Sequence, residues 1–162
     1  MFSPELKALS QEVGELLLAK KYVLSLAESC TGGLISALIT NTAGSSAWFD
    51  SGLVTYSNQA KQDLLKVKET TLTQYGAVSE QVAMEMAIGA LQQGRANIAA
   101  SVTGIAGPDG GTMAKPVGTV CFAWASETFP SKTKTYLFQG NREQIREQSI
   151  IALLTGLQGL IN

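Results

Sequence analysis

Apolar positions recur with helical and then with strand-like spacing along this chain, and the alternation organises it into elements. Leu6, Leu9, Val13, Leu16, Leu17 and Leu18 follow Ser3-Pro4-Glu5, which reads as an N-cap, a proline at the first helical position and an early acid. The spacing predicts a helix running to Lys20-Lys21. Tyr22 to Ala27 is a short apolar run of the kind a buried strand shows. Leu34 to Thr40 is helical in pattern, so the first strand-to-helix turn falls across Ser29 to Gly33. Asn41 to Ser46 has loop composition, and Gly52 to Tyr56 reads as a second strand. Asn58 is placed to cap a helix over Gln59 to Leu65, and Ser79 a helix over Glu80 to Gln93 that Gly94 ends.

Asn97 to Thr103 is a strand that runs into the glycine-dense segment Gly104 to Gly111. Val117 to Ala125 and Thr133 to Phe138 are adjacent strands, antiparallel if the short stretch between them is a hairpin. Asn141 then opens a long C-terminal helix, with Gln144 placed as the distal half of a capping box. Strands alternating with helices imply a largely parallel sheet covered on both faces, and the late hairpin makes it mixed. The expected fold is α/β: a three-layer α/β/α sandwich on a mixed, mostly parallel sheet of about five strands, with residues 1–162 forming one domain.

Composition narrows the chemistry. A net charge of −1 with only 12 Lys and Arg, scattered along the chain, argues against nucleic acid as a partner. No apolar run reaches the roughly 18 residues of a membrane span, and the N-terminus lacks the pattern of a signal peptide. A soluble cytoplasmic protein with no membrane partner is therefore expected, and Cys30 and Cys121 are expected to be free thiols. The chain has no histidine. That excludes Ser-His-Asp and Cys-His catalysis, which need imidazole as proton shuttle, and leaves too few nitrogen and sulfur ligands for a zinc site. Neither a metal nor another cofactor is expected. Any base for covalent catalysis has to be Lys, Tyr or a carboxylate.

Three clusters lie at expected strand ends, where open α/β sheets bind ligands. In Ala27-Glu28-Ser29-Cys30-Thr31-Gly32-Gly33, backbone N–H groups at a helix start can hold a phosphate or an oxyanion, although Ser29 or Thr31 could equally be a plain cap. In Tyr56-Ser57-Asn58-Gln59-Ala60-Lys61, the lysine falls in the first turn of a helix, against the dipole, which tends to lower its pKa. A solvated surface lysine is the plainer alternative. In Thr103 to Gly111, four glycines allow close backbone approach to a ligand or simply tight turns, and Lys115 beyond them could reach a phosphate. The Cys30 side chain reads as a small packing group.

Together with Gly76-Ala77-Val78-Ser79 and Lys115-Pro116-Val117-Gly118-Thr119-Val120, these stretches resemble the C-terminal domain of the CinA family over essentially the whole chain. The resemblance implies the three-layer fold and, for stand-alone members, deamidation of nicotinamide mononucleotide (NMN) to nicotinate mononucleotide. It implies Ser29 as nucleophile, with Lys61 and Tyr56 as its activating partners. It places Thr103, Gly104 and Gly107 in the substrate site and Arg142 as a substrate anchor. Backbone donors across Cys30, Thr31, Gly32 and Gly33 would meet the oxyanion, and Lys115 or Arg142 the phosphate. Whether Lys61 or Tyr56 takes the serine proton, and whether the protein is a homo-oligomer, stay open. The alternative function is a non-catalytic nucleotide-binding or competence-linked interaction module.

Overall fold

A computed structural model describes all residues, 1–162. The elements are α1 (Pro4–Lys20), β1 (Leu24–Glu28), α2 (Leu34–Thr40), β2 (Phe49–Val54), α3 (Asn58–Leu65), α4 (Glu69–Tyr75), α5 (Glu80–Gln93), β3 (Ile98–Gly104), β4 (Thr119–Ser126), β5 (Lys132–Leu137) and α6 (Arg142–Ile161). Three caps expected from the sequence hold. The hydroxyls of Ser3 and Ser79 accept from the backbone of Leu6 and Val82, and Asn141 with Gln144 closes a full capping box. At α3 the cap is Ser57 rather than Asn58, its hydroxyl accepting from Ala60 N at 3.0 Å. Helix α4 was not expected: only Leu72 of its seven residues is buried, and three threonines weaken its helical signal.

The sheet order is β2-β1-β3-β4-β5, with β2, β1 and β3 parallel and β4 and β5 each antiparallel to its neighbour. Four of the five strands thus point the same way, and the sheet is mixed as expected. The strand ends sit one to three residues from their expected places. Buried apolar runs carry no cap or glycine to mark where pairing starts.

The two faces differ in the size of what they bury. Leu24, Leu26, Ile98, Val102, Phe122 and Trp124 pack with α1, α2 and α6 in the larger core. The intervening positions are small: Ala27, Ala99, Cys121, Ala123 and Ala125 meet Ala83, Ala87 and Ala90 of α5. Small residues on both sides let α5 lie close over β3 and β4. At Gly89 of α5 a Cβ would come within 2.2 Å of the Leu65 carbonyl, so no side chain fits where α5 meets the end of α3.

This layering fixes where a ligand can enter. The crossover from β1 to β2 passes over the α2 face, whereas that from β2 to β3 passes over the α5 face. The connections diverge at the carboxyl end of β1, and a crevice opens there between them.

Candidate active site

Ser29 is the first residue beyond β1, seated between two parallel strands. Its N–H donates to the Val102 carbonyl of β3 at 3.0 Å, and its carbonyl accepts from Gly32 N at 3.0 Å, closing a tight turn. Gly32 and Gly33 adopt φ of +58° and +93°, conformations that residues with a Cβ rarely take. Neither Ser29 nor Thr31 caps α2, whose cap is Gly33 with no side chain to offer. The Glu28 carboxylate does that work from the end of β1. It accepts from Thr31 Oγ1 at 2.7 Å, Ile35 N at 3.0 Å, Ser36 N at 3.0 Å and Ser36 Oγ at 2.7 Å. The positive end of α2 is therefore already occupied by a buried anion. Thr31 is fully buried, and Thr31, Gly32 and Gly33 stand outside the cleft described below.

Lys61 reaches Ser29 from α3. Its Nζ lies 3.0 Å from Ser29 Oγ, 2.8 Å from the Thr55 carbonyl and 3.1 Å from the Tyr56 carbonyl. The side chain is 1% exposed, and Ser29 7%. Burial pushes the Lys61 ammonium down from 10.5 to about 8, because a charge is poorly solvated there. Burial has the opposite effect on the adjacent Cys30 thiol, pushing it from 9.0 up to about 12. Cys30 stays protonated near neutral pH, which makes its thiol a poor nucleophile.

A cleft of about 250 Å³ opens over Ser29 and Lys61, lined by the ends of β1, β2 and β3 and by the loop after β3. That is just under the roughly 300–1,000 Å³ usual for small-molecule sites. Of the residues singled out in the sequence, Ser29, Cys30, Tyr56, Lys61, Thr103, Gly104, Gly107 and Arg142 line it. The Thr103 hydroxyl donates to the Ala77 carbonyl at 2.9 Å and ties the cleft wall to the segment before α5. Lys115 stands apart, its Nζ donating to the Tyr75 carbonyl at 2.6 Å.

Tyr56 occupies the rim, 62% exposed. Its hydroxyl accepts from Arg142 Nη2 at 3.3 Å, and only its backbone carbonyl touches Lys61. Arg142 also donates through Nη1 to the Gly107 carbonyl at 2.8 Å. Lys61 and Arg142 are the cationic side chains of the cleft and Asp109 is its carboxylate. Sequence reasoning overlooked Asp109 and Asn58 as individual lining residues, although both stand inside segments it had marked. It also missed Arg146, whose only signal is its place one turn after Arg142 on α6. No three His, Cys, Asp or Glu residues gather as metal ligands would, and no helix is long and apolar enough to cross a membrane.

Known proteins resemble this chain over essentially its whole length. The CinA C-terminal domain family matches residues 6–161. The chain is 54% identical over 162 residues to the nicotinamide-nucleotide amidohydrolase PncC of Enterobacter agglomerans, covering 99% of each chain. It is 52% identical to the nicotinamide-nucleotide amidohydrolase PncC of Escherichia coli K12 over 149 residues, covering 92% of this chain and 90% of that one. The crystal structure of the competence/damage-inducible protein CihA from Agrobacterium tumefaciens superposes with a TM-score of 0.97 at 42% identity, over 100% of this chain and 99% of the other.

Proposed function

We propose that this chain, which belongs to the CinA C-terminal domain family, hydrolyses the carboxamide of NMN to nicotinate mononucleotide and ammonia, with Ser29 as nucleophile and Lys61 as general base. The substrate reading rests on the nicotinamide-nucleotide amidohydrolases that share more than half its residues. The mechanistic reading rests on one contact, the 3.0 Å approach of Lys61 Nζ to Ser29 Oγ.

Counting hydrogen-bonding positions gives that contact its direction. A protonated lysine carries three N–H donors, and a neutral amine carries two and a lone pair. Two of the three groups around Nζ are backbone carbonyls, which can only accept. When Lys61 is neutral, its two N–H bonds go to Thr55 and Tyr56, and its lone pair is left facing the Ser29 hydroxyl. With the pKa at about 8, about a tenth of the lysine is neutral at pH 7, against roughly one part in 3,000 at 10.5. The Tyr56 hydroxyl is directed to Arg142 instead, so the proton is assigned to Lys61.

Ser29 Oγ then attacks the carboxamide carbon as Lys61 takes its proton. The Cys30 N–H, which has no partner elsewhere in the chain, faces the charge that develops on the amide oxygen. The Lys61 ammonium returns the proton to the departing nitrogen, ammonia leaves, and a nicotinyl ester remains on Ser29. Water, activated by the neutral lysine, hydrolyses the ester. At the rim, Arg142 is the cation placed to hold the phosphate. A binding module without turnover has no use for a buried lysine of lowered pKa on a serine hydroxyl.

The test is ammonia release by the purified protein, with and without a chelator, from NMN and from free nicotinamide. Chelator-insensitive release from NMN is expected. Nicotinamide should be a poor substrate, since phosphate binding energy is what holds the amide against Ser29. Equal kcat/KM for the two substrates would remove the phosphate anchor from the account, and no release from either would remove the enzyme.

A further inference from the structure

Behind the Ser29 turn, on the side away from the cleft, a second cationic side chain grips the same loop. Arg146 donates through Nε to the Cys30 carbonyl at 3.2 Å and through Nη2 to the Thr31 carbonyl at 2.9 Å. One guanidinium spans two consecutive carbonyls through two nitrogens held in one rigid plane, which fixes their relative direction more tightly than a lysine's freely rotating ammonium does. Arg142 stands one turn earlier on the same face of α6 and holds the Gly107 carbonyl of the opposite wall. The first two turns of α6 thus join the nucleophile loop to the glycine-rich loop across the cleft.

We infer that Arg146 is a positioning residue for the oxyanion donor of this site, an inference that rests on the amidohydrolase reading above. The carbonyl and N–H of a trans peptide point in opposite directions. The Ser29 carbonyl turns inward to Gly32 N, so the N–H of the same peptide, that of Cys30, turns outward. Cys30 lines the cleft, and this N–H meets no acceptor from another residue, only its own thiol sulfur. By fixing the Cys30 and Thr31 carbonyls, Arg146 locks the two remaining peptides of the turn and with them the direction of the Cys30 N–H. Arg146 itself does not line the cleft. It faces a groove of about 560 Å³ between α6 and the start of α1, bordered by Phe2, Leu6 and Leu34, which shares Arg142 with the cleft.

That placement makes the proposal testable by chemical rescue, because a guanidinium ion can reach the Cys30 and Thr31 carbonyls through the outer groove, from the side of the turn away from the cleft. Arg146→Ala is expected to lower kcat for NMN about 10- to 100-fold while leaving KM within about twofold, since removing an oxyanion donor outright costs roughly 100- to 1,000-fold. Millimolar guanidinium should restore much of the loss, whereas ammonium should not. Arg146→Lys, which keeps the charge and loses the fork, should fall between the two, and it carries the test if Arg146→Ala does not fold. An unchanged kcat would overturn the inference, as would a raised KM with kcat intact or full activity in Arg146→Lys. The labelling rate of Ser29 by a fluorophosphonate, read in parallel, needs no NMN. If wild type releases no ammonia, the substrate reading fails, and slower labelling in Arg146→Ala than in wild type still decides for positioning. Equal labelling, or none in either protein, decides against it.

Discussion

The floor and the rim of the cleft are built on opposite terms. Ser29 and Lys61 are 7% and 1% exposed and tied to strand ends by short hydrogen bonds, whereas Tyr56 is 62% exposed and Arg142 lies open on the first turn of α6. On the floor, loss of water shifts a lysine toward its neutral form and strengthens every remaining interaction. At the rim, water is retained and charges stay mobile, which suits capture and release of an anionic group. The same division separates two buried charges that flank Ser29. Glu28 receives four donors and leaves no free acceptor direction, so it holds structure. Lys61 has one group around it that can either give or take a proton, and so it can do chemistry.

Substitutions on the two levels should therefore separate kcat from KM. The largest effect is expected on the floor. Ser29→Ala should lower kcat by about 10⁴-fold or more with NMN binding by calorimetry largely intact, and Lys61→Arg should be nearly as damaging, because arginine keeps the charge but cannot give up a proton. The double variant should be little worse than Ser29→Ala alone. A Lys61→Arg enzyme close to wild type would move the base elsewhere, with Tyr56 the next candidate. Arg142→Ala is the middle case: KM for NMN should rise roughly 10- to 100-fold, in line with the loss of a charge-assisted phosphate contact, while kcat changes little. A fall in kcat with KM unchanged would place Arg142 on the floor's side of the division. Tyr56→Phe should have the smallest effect, under about threefold in kcat, since it deletes only a rim hydrogen bond. A loss of 100-fold or more would reassign the proton to the tyrosine.

Most of the fold was legible, and for physical reasons that also explain the misses. Helix starts carry chemical marks, so Ser3, Ser79 and Asn141 located α1, α5 and α6 to the residue. Strand ends carry none, and β1 begins at Leu24 although Tyr22 and Val23 are just as apolar. The alternation of large and small residues on β3 and β4 was in the sequence, but which face they met depends on partners remote along the chain. Within the site, the residues at strand ends were legible because topology sends them to one crevice. The direction of a side chain was not. The Tyr56 hydroxyl turns to Arg142, 86 residues away, and Arg146 reaches back 116 residues to the Cys30 carbonyl. Glu28 looked like one more residue of a strand-end motif. Its task of closing α2 became visible only with the geometry of the turn.

The dependence of kcat/KM on pH tests the central claim most directly, because it reads the protonation state of the free enzyme. Lys61 must be neutral to accept the serine proton, and burial places its pKa at about 8 rather than 10.5. Below that value log kcat/KM for NMN should climb with a slope near one, and above it the curve should level off, with the bend moving or vanishing in Lys61→Arg. A profile flat from pH 6.5 to 9.5, or one still rising without a bend up to about 10, the ordinary range of an unburied lysine or a tyrosine, would contradict Lys61 as the base.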